Sequence, residues 1–377
     1  MDRYDVIVVG SGVMGCATAY HLAKRGRRVL LLEQFSIGHE RGSSHGHSRI
    51  FRLVYDVPDY VQLARAAYPL WRELESEAGA ELLLQTGGFD FADPATQSIE
   101  DTRATLVASG IPFESLDHTA ITRRFPQFAV SERVVGIYQA DTGILNATKC
   151  VLALAGQARR HGAIVQEQES ARQIQPAGAG VQVSATRRVY AADRLVVTAG
   201  SWARPLLSQV GLDLPLTVTK EQFAFFKPHD PALFAPGRCP IFIQHMQVGP
   251  AVYGFPIYGL PGVKAAFHNA GPPIAPESED RDIDPAGLAA LRSHVARWLP
   301  QAAGEVMLAQ TCRYTSTPDH EFIVDCHPEY PQIVIGSPCS GHGFKFGVLM
   351  GSILADLAER GATEQPIGRF RVGQFGM

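Results

Sequence analysis

The hydrophobic pattern changes period at a glycine almost as soon as the chain begins. Asp5–Val9 is a short run rich in β-branched residues that ends at Gly10. From Val13 to Arg25 apolar positions recur at helical spacing, Gly26 stops the helix, and Val29–Leu32 is a second apolar run. This predicts a β-α-β unit whose strands are buried on both faces. Downstream, Val61, Ala64, Tyr68, Trp71 and Leu74 share one face of a helix predicted over Asp59–Gly79, with Pro69 expected to kink it. Gln85–Phe91, with its Gly87-Gly88 pair, reads as strand and turn, and residues 97–109 and 118–125 as short helices.

Asn146 is the expected N-cap of a helix reaching Arg160, after which strand-like segments alternate and end in Arg194–Thr198. Residues 216–275 are rich in Phe, Tyr, Val and Pro with turn punctuation, which predicts antiparallel strands of a second domain. The acidic stretch ESEDRDI precedes Asp284-Pro285, an N-cap followed by proline at the first helical position, opening a helix to Trp298. Gln332–Ile335 is again strand-like and leads through a glycine-rich turn into a helix through Ala358. One α/β domain assembled from separated stretches, interrupted twice by β-rich segments, is expected.

At roughly 150 residues per domain, 377 residues give two to three domains and a sizeable core. With 46% hydrophobic and 19% charged residues, disordered and fibrous classes are excluded. The net charge of −3 provides no field for nucleic acid or an anionic membrane, so the expected partner is a small molecule. The six cysteines form no C-x-x-C pair or dense framework, which fits a reducing compartment. The N-terminal MDRYDVIVVG shows no basic leader, no apolar run approaches a bilayer span, and the C-terminal FGM is not a Ser-Lys-Leu address. The cytoplasm is the expected location.

Gly10-Ser11-Gly12-Val13-Met14-Gly15 lies between strand and helix, with Glu33 ending the next strand, as a dinucleotide fold requires. Gly10 and Gly12 permit a tight turn and close approach of N–H groups to a pyrophosphate, Gly15 lets helix and strand pack closely, and Glu33 can accept from a ribose hydroxyl. The motif does not separate FAD from NAD, and a purely structural turn would share its spacing. At Gly341–Phe344 a second glycine turn, next to Lys345, directs a positive helix end at an electron-rich group such as a flavin, or simply enters a helix. Arg49 and Arg52 are cations in an apolar stretch, either buried against an anion or snorkelling at the surface. Lys264 and His268 share one strand face, which could be a redox pocket or a solvated sheet. Cys312 carries no metal spacing and could be a small buried hydrophobe. No metal-ligand or serine-hydrolase motif is present, so no metal is expected.

Several segments together resemble the monomeric sarcosine oxidase and N-methyltryptophan oxidase family of D-amino-acid-oxidase-like flavoproteins. They are DVIVVGSGVMG with Glu33, GSSHGHSRIFR at 42–52, TAGSWA at 198–203, YGFP at 253–256, the Lys264/His268 pair, TCRYTSTPDHEFIVD at 311–325 and SGHGFKF at 340–346. Their order and spacing run nearly end to end. The resemblance implies an α/β fold: a discontinuous Rossmann-type FAD-binding domain over 1–84, 145–215 and 325–377, plus a β-rich α+β substrate domain from 85–144 and 216–324. It implies FAD tethered covalently through Cys312. Further contacts to FAD are implied from Gly10, Gly12, Val13, Met14, Gly15, Glu33 and Gln34 at one end. Ser43, Ser48, Arg49, Ile50, Ala171, Ala199, Gly200 and Trp202 are implied along the cofactor, and Gly341, His342, Gly343, Phe344 and Lys345 at the other end.

By the same resemblance Arg52 and Lys345 hold a substrate carboxylate, Arg49 lies beside the flavin, and Lys264 stands where its charge helps oxygen accept electrons. His268, Tyr253 and Tyr314 line the pocket. The implied reaction oxidises the C–N unit of a secondary amino acid to an imine that water hydrolyses, while O2 becomes H2O2; a monomer is expected. The segment upstream of Tyr253, with Ile243 and Met246, and Tyr258–Pro261 depart from the family pattern. Sarcosine, another N-methyl amino acid, pipecolate and a glycated amino acid therefore all stay open as substrates. An NAD-dependent dehydrogenase would explain the first glycine motif but not Cys312. A non-catalytic flavin- or nucleotide-binding sensor would leave Lys264 without a task.

Overall fold

The computed structural model describes residues 3–93 and 96–375, so of the C-terminal FGM only Phe375 is described. The first sheet has a parallel core ordered Ile333–Ser337, Val189–Val197, Arg3–Val9, Val29–Leu32 and Ile164–Gln166. The antiparallel strand Ile323–Cys326 closes one edge, and the hairpin Ala171–Ala177/Gly180–Ala185 pairs with the start of Val189–Val197. Val6 and Val8 point into a core shared with the helices Val13–Lys24, Ala147–Arg160 and Gly347–Arg360. Ile7 and Val9 point the other way, against the hairpin and the segment Ala203–Leu216. A strand covered on both faces has no use for alternation, which is why DVIVV and VLLL read as continuous apolar runs.

The second sheet is ordered Val306–Ser316, Thr217–Phe226, Val263–Phe267, Val252–Phe255, Ile241–His245, Gly88–Ala92, Val135–Gln139 and Glu114–Leu116. Its strands alternate. Phe89, Phe91, Phe226, Phe242 and Ala265 turn outward to a core completed by Phe128 and Trp298, whereas Phe223, Phe225, Tyr253, Phe255 and Ala266 belong to clusters on the inner side. The pattern differs from all-antiparallel pairing at one place: Ile241–His245 runs parallel to Gly88–Ala92, joining the two inserted segments. A three-stranded sheet of Arg49–Phe51, Gly143–Leu145 and Leu83–Gln85 pairs with neither but packs against both.

The expected caps are present: Asn146 accepts from Lys149 N, and Asp284 accepts from the N–H groups of Ala286 and Gly287. Pro69 lies inside the single helix Pro58–Ala78. One detail refines the sequence reading: a 3₁₀ turn, Gly343–Phe346, intervenes before the helix Gly347–Arg360. Among the described residues no helix is long and apolar enough to cross a membrane, and all six cysteines are free.

Candidate active site

A cavity of about 510 Å³ opens beyond the carboxyl ends of the neighbouring parallel strands Arg3–Val9 and Val189–Val197 and extends to the inner face of the second sheet. Gly10, Gly12, Val13 and Met14 line it. Gly10 has φ +96°, and a Cβ there would stand 2.6 Å from the carbonyl oxygen of Thr198. Gly15 does not line the cavity; its role is packing, since a Cβ would lie 1.8 Å from the Gly10 carbonyl oxygen. The first turn of a helix has N–H groups without intrahelical acceptors, and Val13 N donates one to Ser44 Oγ at 3.1 Å.

Glu33 is buried and ties the glycine turn to the strand beside it. One carboxylate oxygen accepts from Ser11 N and Ser11 Oγ, both at 2.8 Å, and the other from Phe35 N at 2.8 Å. Burial works to raise its pKa, but His39, the Ser11 groups and Phe35 N outweigh it, so the carboxyl stays below its ordinary value. Gln34, Ala171, Ala199, Gly200 and Trp202 continue this wall, and Ser43 Oγ donates to the Arg313 carbonyl at 2.6 Å.

The far end is strongly cationic. Arg49, Ser48 and Ile50 line the cavity, and the Arg49 guanidinium donates to the carbonyls of Ser48 (2.8 Å) and Ser43 (2.9 Å) and lies 5.8 Å from the Phe344 ring. Lys264 Nζ is buried, donating to Ser48 Oγ at 3.2 Å and lying 4.1 Å from the Phe223 ring. Burial first and Arg49 second lower its pKa to about 7. Lys345 Nζ is buried too and donates to Tyr55 Oη (2.7 Å) and to the His342 carbonyl; burial and Arg52 hold its pKa well below the ordinary lysine value. Among the described residues no carboxylate lies within ion-pair distance of Arg49, Lys264 or Lys345. Arg52 is different: its Nη1 donates to Asp90 at 2.9 Å.

His268 borders the same space with its pKa lowered to about 4, by burial and then by Arg52 and Lys345, so it is neutral near pH 7. Burial raises the pKa values of Tyr253 and Tyr314 above the usual phenol range, and both stay protonated. Burial also raises that of the Cys312 thiol, against the pull of Arg49 and Lys264. Gly341, His342, Gly343 and Phe344 close the wall.

Every cofactor, substrate and catalytic residue expected from the sequence therefore lines this one cavity, except Gly15 beneath the turn. Arg49, Arg52 and Lys345 are not snorkelling surface cations, and Lys264 does not sit on a solvated sheet. Ile243 lines the cavity, whereas Met246 does not. Sequence reasoning missed Ser44, Tyr55, Asp90 and His245. Asp90 had a readable signal, because an acid between two phenylalanines in GFDFA is out of place in an apolar strand unless a partner waits for it.

The cradle a Cβ at Gly10 would fill and the buried cations without carboxylates fit a dinucleotide carrying an electron-rich ring. This is the architecture of a two-sheet flavoprotein. The profile of the FAD dependent oxidoreductase (DAO) family matches residues 5–357, and the chain belongs to that family. It is 38% identical over 372 residues to the monomeric sarcosine oxidase of Streptomyces avermitilis, covering 97% of this chain and 96% of that protein. It is 35% identical to the peroxisomal sarcosine oxidase of Homo sapiens, covering 99% and 97%. Among solved structures, the open form of NikD, an unusual amino acid oxidase essential for nikkomycin biosynthesis, superposes with a TM-score of 0.88 at 28% identity, covering 98% of both chains. The expected fold class and family hold, and the protein is a FAD-dependent amine oxidase acting on CH–NH donors. The NAD-dehydrogenase reading is not favoured.

Proposed function

We propose that the protein oxidises a secondary amino acid, N-methylated or cyclic, at its C–N bond. The amine and O2 give an imine and H2O2, and water hydrolyses the imine to a primary amine and a carbonyl compound. When bound, FAD supplies the two-electron acceptor and the path of those electrons to oxygen. The observation that carries the reading is the confluence of Arg52, Lys345 and Lys264 with the neutral His268 in one cavity below the glycine turn. Arg52 and Lys345 come from separate segments, and each can donate to a carboxylate, which would fix the amine's α-carbon in one place. A neutral His268 beside them adds no cation to repel the substrate's protonated amine. Tyr253, Tyr314, Phe223 and Phe255 give the seat apolar walls that exclude water and strengthen each charge interaction. Lys264 supplies positive charge at low dielectric for oxygen reduction, most fully below pH about 7.

FAD would be held by Gly10, Gly12, Val13, Met14, Glu33 and Gln34 at the nucleotide end, and by Ser43, Ser48, Arg49, Ile50, Ala171, Ala199, Gly200 and Trp202 along its length. Gly341, His342, Gly343 and Phe344 would close over the ring, with Cys312 as the tethering sulfur. The division into 1–84, 145–215 and 325–377 against 85–144 and 216–324 is part of the same reading, supported by the separate sheets those stretches build. A monomer in the cytoplasm completes it, although a peroxisomal relative exists. The test is peroxide release from sarcosine, N-methylalanine, pipecolate, a fructosyl amino acid and the primary amine glycine. Turnover of one of the first three supports the reading; release from glycine alone overturns it.

A further inference from the structure

Asp90 is 3% exposed, in a strand whose neighbours Phe89 and Phe91 stack at 4.8 Å on the opposite face. A buried carboxylate there costs solvation that only specific partners offset. Among the described residues it has two, both on Oδ1 and both at 2.9 Å: Arg52 Nη1 and His245 Nε2. The parallel register sets Asp90 opposite Ile243 and Ala92 opposite His245, so the imidazole comes from the adjacent strand, two residues beyond the direct partner. Arg52 follows the short strand Arg49–Phe51, and its guanidinium also lies 4.5 Å from the centre of the Tyr55 ring. Arg52 and His245 line the cavity, whereas Asp90 does not.

We infer that Asp90 is a positioning residue that fixes the Arg52 guanidinium for the substrate carboxylate, with His245 locking Asp90 in turn. The inference rests on the function proposed above. Arginine is a long chain carrying five N–H donors in a rigid fork. Asp90 engages one corner of that fork and Tyr55 covers its face, which leaves donors for a second carboxylate and removes the ordering that substrate binding would otherwise have to impose. The role is geometric, so the acceptor oxygen matters more than the charge.

The test uses the FAD-loaded enzyme with Asp90→Ala, Asp90→Asn and His245→Ala, reading kcat and KM for its best secondary amino acid. The dissociation constant of acetate is read from the flavin absorbance. Asp90→Ala is expected to raise KM and the acetate constant at least tenfold with kcat within threefold. Asp90→Asn, which keeps an acceptor for Nη1, is expected to restore both to within threefold. His245→Ala is expected to move both about threefold upward, and decides the matter if Asp90→Ala does not fold. A purely electrostatic role predicts the opposite, tighter acetate binding in both Asp90 variants, and that result overturns the inference. Unchanged constants in Asp90→Ala and His245→Ala overturn it alone, with the function intact. A wild-type enzyme that neither turns over these amines nor binds acetate removes both.

Discussion

Replacing Lys264 by Met removes a buried ammonium while keeping most of its volume, and its effect on stability can be worked from the site. Nζ donates to Ser48 Oγ at 3.2 Å and lies 4.1 Å and 5.2 Å from the centres of the Phe223 and Phe255 rings, with Arg49 nearby. The fall of its pKa from 10.5 to about 7 corresponds to about 5 kcal/mol of penalty on the charged form, at about 1.4 kcal/mol per pH unit. Attraction to the rings, on the order of 1–2 kcal/mol, offsets part of that. The unfolded lysine keeps its proton up to pH 10.5, whereas the folded one gives it up near 7. Between these limits the unfolded chain binds more protons, so the native-state deficit is full below about 7, shrinks as pH rises and is gone above 10.5. In urea unfolding of the flavin-free chain, Lys264→Met should gain about 3 kcal/mol at pH 7, and the gain should fall by about 2 kcal/mol by pH 9. A difference between the two proteins that stays flat from pH 7 to 9, or a wild type more stable throughout, would refute the burial argument.

Gly15→Ala drives a methyl group to 1.8 Å from the Gly10 carbonyl oxygen, so the purified variant should come out colourless or unfolded. A yellow protein with wild-type flavin content would show that the turn relaxes. Cys312→Ser should leave a folded yellow protein whose colour moves from the pellet to the supernatant on acid precipitation; colour retained in the pellet would place the tether elsewhere. Because the amine, which arrives protonated, must lose its proton before its C–N bond can be oxidised, anaerobic reduction by substrate should speed up from about pH 6 to 9, with no second break from His268, whose pKa is about 4. A bell-shaped profile in that range would count against it.

Much of the fold was legible because the parallel sheet is written in its own composition. DVIVV and VLLL are continuous apolar runs since helices and the 203–216 segment cover both faces, and Gly10, Gly15 and Glu33 have spacing that little else requires. The cations were legible as residues but not as a cluster. Nothing local in HSRIFR or GVKAAFHN says that Lys264 reaches Ser48, a contact across 216 positions made between a loop and the second sheet. Asp90 was legible as an acid out of place, but its partners were not, since they lie 38 and 155 residues away and the parallel pairing of Gly88–Ala92 with Ile241–His245 has no signature in either strand.

Arg52 and Lys345 differ in the counter-charge that each has before substrate arrives. Arg52 has the Asp90 carboxylate and keeps its charge, with a pKa raised above the ordinary value: burial works against it, and Asp90 and Tyr55 overcome that. Lys345 has Tyr55 Oη and a backbone carbonyl but, among the described residues, no carboxylate, so burial and the charge of Arg52 lower its hold on its proton. A carboxylate arriving between them supplies the missing counter-charge and raises the lysine's pKa again, so the bound state holds more protons than the free one. Anion affinity should therefore increase as pH falls through the interval between the free and bound pKa values of Lys345. Calorimetric titration with acetate in buffers of different ionisation enthalpy should register uptake of up to about one proton per site, and Lys345→Met should abolish it. Wild-type binding without proton exchange would mean that Lys345 is already charged in the free enzyme, and that the substrate carboxylate meets two permanent cations rather than one fixed cation and one that it recruits.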